Sequence, residues 1–244
     1  VRADTGNQRS ANSIKTYSVL SNFNNLKEIG MATQLICDFG SCHEGKLEAC
    51  EEMVQRCGDA GIWLKFQLCP KLHGNTPIDP SWLPMLVQIG RRRGTEVFAS
   101  VWDEDGLSAV VDAGCKHVKF AYSARHLVDL QRDALKAGLQ VYVTHGLLEW
   151  PEQIKNVHRL WIVTVDDKPV YPVTHAVIHD PTWTWAGFSC HSYDVGEITR
   201  AIEHGYEYVE FHGRLPRARP ECPDGRFAIN IAQLQNINEK TGGR

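Results

Sequence analysis

LICDFGSCHEGKLEACEEMVQRCGDAGIWLKFQ, residues 35 to 67, is the stretch that decides the fold. A short apolar run ends in Asp38, and a polar loop with Cys42, His43 and Glu44 follows. From Gly45 to Ala60 the apolar residues recur at helical spacing, and a second apolar run then carries Lys65 and Gln67. Strand, loop, amphipathic helix and strand in that order make a βα unit. GFSCHSYDVGEITRAIEHGYEYVEFHG, residues 187 to 213, repeats the order and places His191, Glu210 and His212 where strands end. In a parallel α/β protein such polar residues meet above the carboxyl ends of the strands, where chemistry is usually done.

Working outward, the hydrophobic period predicts eight strands: Gln34 to Asp38, Ile62 to Gln67, Glu96 to Ser100, His117 to Ala121, Gln140 to Thr144, Leu160 to Thr164, Trp185 to Ser189 and Tyr206 to Phe211. Helical patterns fill most gaps, at Gly45 to Ala60, Pro80 to Arg93, Asp105 to Ala113, Arg125 to Ala137, Tyr193 to His204 and Phe227 to Glu239. Several helices end in a glycine just before the next strand, the left-handed cap that turns a chain back. Eight strands with helices in most of the gaps fit a (β/α)8 TIM barrel better than an open doubly wound sheet. The segment between the sixth and seventh strands has three prolines and little helical period, so a long loop is expected there. The reading is one domain, a barrel over residues 31–244 with an N-terminal extension, a cap or hairpin, over residues 1–30.

The chain has 244 residues, 43% hydrophobic, with 26 Lys and Arg against 29 Asp and Glu. A formal net charge of -3 without a basic stripe argues against a general nucleic-acid binder. There is no membrane-length apolar run and no signal-peptide core, so a cytoplasmic setting with no membrane partner is expected. Eight cysteines include no Cys-x-x-Cys. Cys37, Cys50, Cys57 and Cys115 read as small buried thiols. Cys42, Cys69, Cys190 and Cys222 fall near the presumed site, where packing or a Cys-containing metal site are the alternatives.

Polar residues within apolar strands are costly unless paired or exposed at a site. Beyond those already named, the candidates are Ser100, Asp103, Lys119, Thr144, His145 and Ser189. His191 and His212, at the ends of neighbouring strands, are placed to hold a divalent metal, since neutral imidazole suits Mn, Fe or Zn. For Lys65 and Lys119 the readings are an anionic ligand or an internal salt bridge with Asp38 or Glu210.

Together these motifs resemble the N-acetylneuraminate (sialic acid) synthase family. ICDFGSCHEGKLEACEEMVQRCGDAGIWLKFQ resembles its opening, an acid, hydrophobic, Gly, x, Asn-His-x-Gly, helix, then Val-Lys-x-Gln. GFSCHSYD is similar to its Gly-x-Ser-Asp-His, VEFHG to its Glu-x-His-Phe, and the run Arg219 to Asp224 to its Arg-Pro-Gly-Pro-Asp. The resemblance covers about residues 33 to 235 in order. It implies an enzyme that condenses phosphoenolpyruvate with a sugar-like aldehyde, using a divalent metal, and releases phosphate and a 2-keto-3-deoxy acid. On that resemblance His191 and His212 are the metal ligands, with manganese or magnesium first and zinc or iron as alternatives. Lys65 and Lys119 hold phosphoenolpyruvate, Asp38 assists proton transfer, and Gln67 and Asp224 orient substrate. Ser100, Tyr122, Ser123, Thr144, His145 and Ser189 are the remaining substrate contacts expected. The family's dimers put a homodimer among the expectations.

This chain also departs from the family. Lys119-Phe120-Ala121-Tyr122-Ser123-Ala124 stands where the family has Lys-Ile-x-Ser-Gly-acid, Val143-Thr144-His145-Gly146 replaces Leu-Ser-Thr-Gly, and Cys42 and Cys190 replace Asn and Asp. No counterpart of the small antifreeze-like domain follows residue 240, so a minimal, diverged barrel is expected, with its acceptor sugar open. A metal-dependent lyase or isomerase, a Schiff-base aldolase using one of the lysines, and a noncatalytic metabolite-binding barrel are the competing readings.

Overall fold

The computed structural model describes residues 33–70, 74–146, 154–165, 168–169, 185–219 and 221–233. Its centre is a ring of parallel strands, β1 Gln34–Asp38, β2 Trp63–Leu68, β3 Val97–Val101, β4 His117–Phe120, β5 Gln140–Gly146, β6 Val157–Ile162, β7 Gly187–Cys190 and β8 Tyr208–Arg214. Each pairs with the next in the chain, and β8 pairs back onto β1 from Gln34↔Tyr208 to Asp38↔His212. The sheet is therefore a closed (β/α)8 TIM barrel, as the sequence predicts. The barrel lies within the unit Ala32–Arg244. The cap expected over residues 1–30 lies outside the described residues.

The strands are almost continuously buried, β3 and β4 at every position, because barrel strands are covered on one side by helices and on the other by each other's side chains. The described helices are α1 Leu47–Asp59, α2 Leu83–Arg92, α3 Glu104–Asp112, α4 Val128–Lys136 and α5 Val195–His204. On α1 the buried residues are Ala49, Cys50, Met53, Val54 and Cys57, one stripe at helical spacing that packs on the barrel wall. Asp103 and Asp194 cap α3 and α5 by accepting from the amides of Gly106 and Gly196, which occupies the first turn's unpaired donors. α5 ends at Gly205 with φ 93°, the left-handed closure that the glycine pattern predicts.

Within the barrel, successive residues alternate between interior and exterior. The interior floor is aromatic: Trp63, Phe98, His117, Tyr142, His158 and Tyr208 stack and tilt against one another, with Trp63–His117 at 4.4 Å and Tyr142–Tyr208 at 5.0 Å. One step of two residues up each strand stand Lys65, Ser100, Lys119, Thr144 and Glu210. The aromatic floor thus lies directly beneath the charged layer.

Some boundaries differ from the sequence reading. β8 runs on to Arg214 because its end pairs with a two-residue strand, Ile229–Asn230. That strand and a 3-10 turn at Ile231–Gln233 take the described part of the helix expected from Phe227. After β6, the expected long loop opens with a small antiparallel pair, Thr164–Val165 with Lys168–Pro169; residues 170–184 lie outside the described residues. Among the described residues, no helix is long and apolar enough to cross a membrane.

Candidate active site

Strand register assembles the site. β1 lies between β8 and β2, so Asp38 is opposite His212 on one side and Lys65 on the other. Lys119 is in register with Ser100, and Glu210 with Ser189. A cavity of about 900 Å³ opens over these residues at the carboxyl ends of the strands.

Four buried charges form its base. Lys65 Nζ donates to Asp38 Oδ2 at 2.5 Å and to Ser100 Oγ at 2.7 Å, and lies 3.5 Å from Glu210 Oε1. Lys119 Nζ contacts the other oxygen of Glu210. Asp38 also accepts from Gln67 Nε2 and from the Gly40 amide, each at 2.9 Å. Burial alone would raise the Asp38 carboxyl, but Lys65, His212 and these hydrogen bonds hold it below the ordinary carboxylate range. Burial would likewise strip Lys65 of its proton, and its two acidic partners outweigh that and raise it. For Lys119 burial prevails over its single acid, and its pKa falls to about 8. An ammonium has three donors. Lys65 spends them within the protein, whereas Lys119 has Glu210 as its one polar partner among the described residues.

His191 and His212 stand side by side at the rim, ring centroids 4.7 Å apart, with Phe227 at 4.6 Å from His212 and 5.4 Å from His191. Burial, then the neighbouring His212 and Lys119, push His191 well below its ordinary pKa, so it is neutral. His212 Nε2 is 3.7 Å from Asp38 Oδ2, and its Nδ1 is buried without a hydrogen-bond partner among the described residues. No cluster of three or more His, Cys, Asp or Glu able to hold a metal occurs among the described residues. Two imidazoles with an acid behind one of them fit a cation that keeps open positions, as catalytic rather than structural sites do. That donor set favours Mn, Fe or Zn over Mg, which prefers oxygen.

Asp38, Lys65, Gln67, Lys119, Tyr122, Ser123, Thr144, Ser189, His191, His212 and Asp224 all reach the cavity wall. Thr144 Oγ1 and Ser189 Oγ are buried there without a hydrogen-bond partner among the described residues. Two expected contacts do not reach it. Ser100 is fully buried as an acceptor for Lys65. His145 is one residue beyond Thr144, so strand alternation turns it outward, its ring 6.3 Å from that of Trp185. Both lysines have internal acidic partners, the salt-bridge alternative of the sequence reading, while also lining the cavity. Asp103 serves as a helix cap, and Glu44 pairs with Arg219.

The sequence reading missed Trp102, Arg125, Arg226 and Phe227, which also line the cavity. Trp102 Nε1 donates to Ser123 Oγ at 2.9 Å, and the Arg125 guanidinium lies 3.8 Å over the Tyr122 ring. The helical period of the sequence instead puts Phe227 at a helix start.

No protein-family profile matches the chain, and no curated protein matches it by sequence. Among solved structures the barrel is similar to an N-acetylneuraminic acid (sialic acid) synthetase from Leptospira borgpetersenii serovar Hardjo-bovis, with TM-score 0.71 and 17% identity, over 86% of this chain and 83% of that one. It is also similar to the spore coat polysaccharide biosynthesis protein spsE from Bacillus subtilis, with TM-score 0.66 and 17% identity, over 87% of this chain and 67% of that one. A truncated 3-deoxy-D-arabino-heptulosonate 7-phosphate synthase from Thermotoga maritima matches with TM-score 0.62 and 13% identity, over 87% and 86% of the two chains. At these identities the likeness establishes the fold, and the expected resemblance to the sialic acid synthase family holds at that level.

Proposed function

We propose that this barrel condenses phosphoenolpyruvate with a sugar-like aldehyde, forming a 2-keto-3-deoxy acid and releasing phosphate. The observation that carries the reading is the convergence of the Lys65–Glu210–Lys119 cluster and the His191–His212 pair on one cavity. Solved structures of synthases with this fold, a sialic acid synthetase and a 3-deoxy-D-arabino-heptulosonate 7-phosphate synthase, support it.

In this reading C3 of phosphoenolpyruvate bonds to the aldehyde carbon, the aldehyde oxygen takes up a proton, water adds at C2, and phosphate leaves. Lys119 meets the phosphate with its spare donors, and Lys65 fixes Asp38 and Glu210 beneath the donor. Asp38, kept ionised by its neighbours, orients the water and accepts its proton. The hydroxyls of Thr144 and Ser189 position the donor, while Gln67, Tyr122, Ser123 and Asp224 bound the acceptor side. Two ammonium groups against two carboxylates leave the base of the site neutral, so a multiply charged anion needs further positive charge. Arg125 and Arg226 on the wall contribute part of it. A divalent cation held by His191 and His212 would add the rest and supply Lewis acidity toward an aldehyde oxygen.

The test is a thermal-shift titration of the manganese-loaded protein with phosphoenolpyruvate, followed by an aldose screen for phosphate release. A ligand at ~100 times its dissociation constant adds about 2.7 kcal/mol. The expected result is a saturable rise that is absent in Lys119→Met; no rise with metal bound overturns the reading.

The low Lys119 pKa of about 8 favours a second reading, a Schiff-base aldolase, since a desolvated lysine is a better nucleophile at neutral pH. Borohydride trapping with pyruvate separates the two. A covalent adduct on Lys119 supports the aldolase, and its absence alongside phosphate release supports the synthase.

A further inference from the structure

The loop after β1 and the loop after β8 run side by side, fastened at three points. The Ser41 amide donates to Asp224 Oδ2 at 2.6 Å, and Glu44 Oε1 accepts from both the amide and Nε of Arg219 at 3.0 Å. Between these fastenings Cys42 Sγ and Cys222 Sγ lie 3.1 Å apart, although 180 residues separate them in sequence. Gly40, at φ 47°, lets the chain pass close to Asp224: a Cβ there would sit 2.3 Å from the carboxylate.

We infer that Cys42 and Cys222 form a reversible disulfide site, oxidised by low-molecular-weight disulfides of the glutathione class. A disulfide bond is ~2.05 Å long, so the sulfurs need approach by only about 1 Å within loops already held at both ends. Access is asymmetric. Cys222 is partly exposed and lines the cavity, whereas Cys42 is buried behind it. Of the remaining thiols, Cys37 and Cys57 also interact, but both are completely buried and out of an oxidant's reach. The hydrogen bond from Cys42 lowers the Cys222 pKa and raises that of Cys42, which makes Cys222 the attacking thiolate.

The chemistry balances in two exchanges. Cys222 thiolate attacks one sulfur of the small disulfide, forming a mixed disulfide and expelling one small thiolate. Cys42 then gives up its proton to that thiolate and attacks Cys222 Sγ, and the second small thiolate leaves and takes up the proton that Cys222 released on ionising. Two protein thiols are oxidised, and one small disulfide becomes two thiols. Because Glu221, Pro223 and Asp224 line the cavity beside Cys222, the bond fixes that wall against the β1 loop. This inference does not depend on the proposed reaction.

The test incubates the full chain with oxidised glutathione, alkylates the remaining thiols and measures intact mass and linked peptides. The expected result is two fewer alkylated thiols than in the reduced chain, one dithiothreitol-sensitive peptide pair containing Cys42 and Cys222, and a raised melting temperature that reduction reverses. Cys42→Ser should stop at a glutathione adduct on Cys222, and Cys222→Ser should form neither adduct nor link. A full complement of alkylated thiols after oxidation, a link between other cysteines, or a lasting glutathione adduct in the unsubstituted chain overturns the inference.

Discussion

Lys65 and Lys119 share the Glu210 carboxylate, yet their surroundings set them to different tasks. Lys65 has two acids and a serine hydroxyl to offset its burial and keeps its proton; for Lys119 burial, reinforced by like-charged Lys65, outweighs Glu210, and its pKa drops to about 8. Anion binding that relies on Lys119 should therefore weaken as pH rises through about 8, measured as the phosphoenolpyruvate dissociation constant against pH. The stability effect has the opposite sense. Between the folded value of about 8 and the ordinary value of 10.5 the unfolded chain binds the extra proton, so this residue makes stability rise with pH across that window. Lys119→Met should lack that rise in urea melts. Asp38 works from the acid side. Its folded pKa lies below the ordinary 3.8, so its contribution is complete above that value and is lost as pH falls through the folded pKa. Asp38→Asn should flatten the acid limb of the stability curve and cost about 3 kcal/mol near neutrality, because Lys65 loses its nearest partner in a buried site.

Glu210 and His212 lie on β8 and His191 directly follows β7, so the spacing of the two strands controls the rim. Gly187 faces Tyr208 in the ladder, and a Cβ there would stand 2.3 Å from the Tyr208 carbonyl oxygen. Gly187→Ala must push the two strands apart and should cost about 1–3 kcal/mol as overpacking. The same displacement separates the two imidazoles. Thermal melts should show the loss, and metal retained after gel filtration should fall with it. A variant that melts like the parent and holds metal equally well would show that the strands adjust without moving the rim.

The barrel puts a neutral cluster of buried charges between an aromatic floor and an open cavity, and the proposed reaction turns on what neutralises an incoming anion. His212→Ala should abolish retention of manganese in equilibrium dialysis, and chelator treatment of the parent should remove the phosphoenolpyruvate-induced thermal shift while leaving the barrel folded. Equal metal binding by the variant and the parent excludes the ligand assignment. Much of this architecture was legible in local sequence. An apolar run ending in Asp38, a lysine within IWLKFQL and a glycine after each helix signal strands, rim and turns through neighbours two to four residues away, which is the range over which strand and helix periods act. The sequence by itself thus determined the barrel and the residues at its carboxyl rim. Only the tertiary structure decided which of them meet: the β8–β1 closure sets Asp38 between Lys65 and His212, one-residue alternation keeps Thr144 in and turns His145 out, and parallel loops bring Cys42 to Cys222. Register and closure are settled by the packing of all eight strands at once, and no local stretch of chain contains that information.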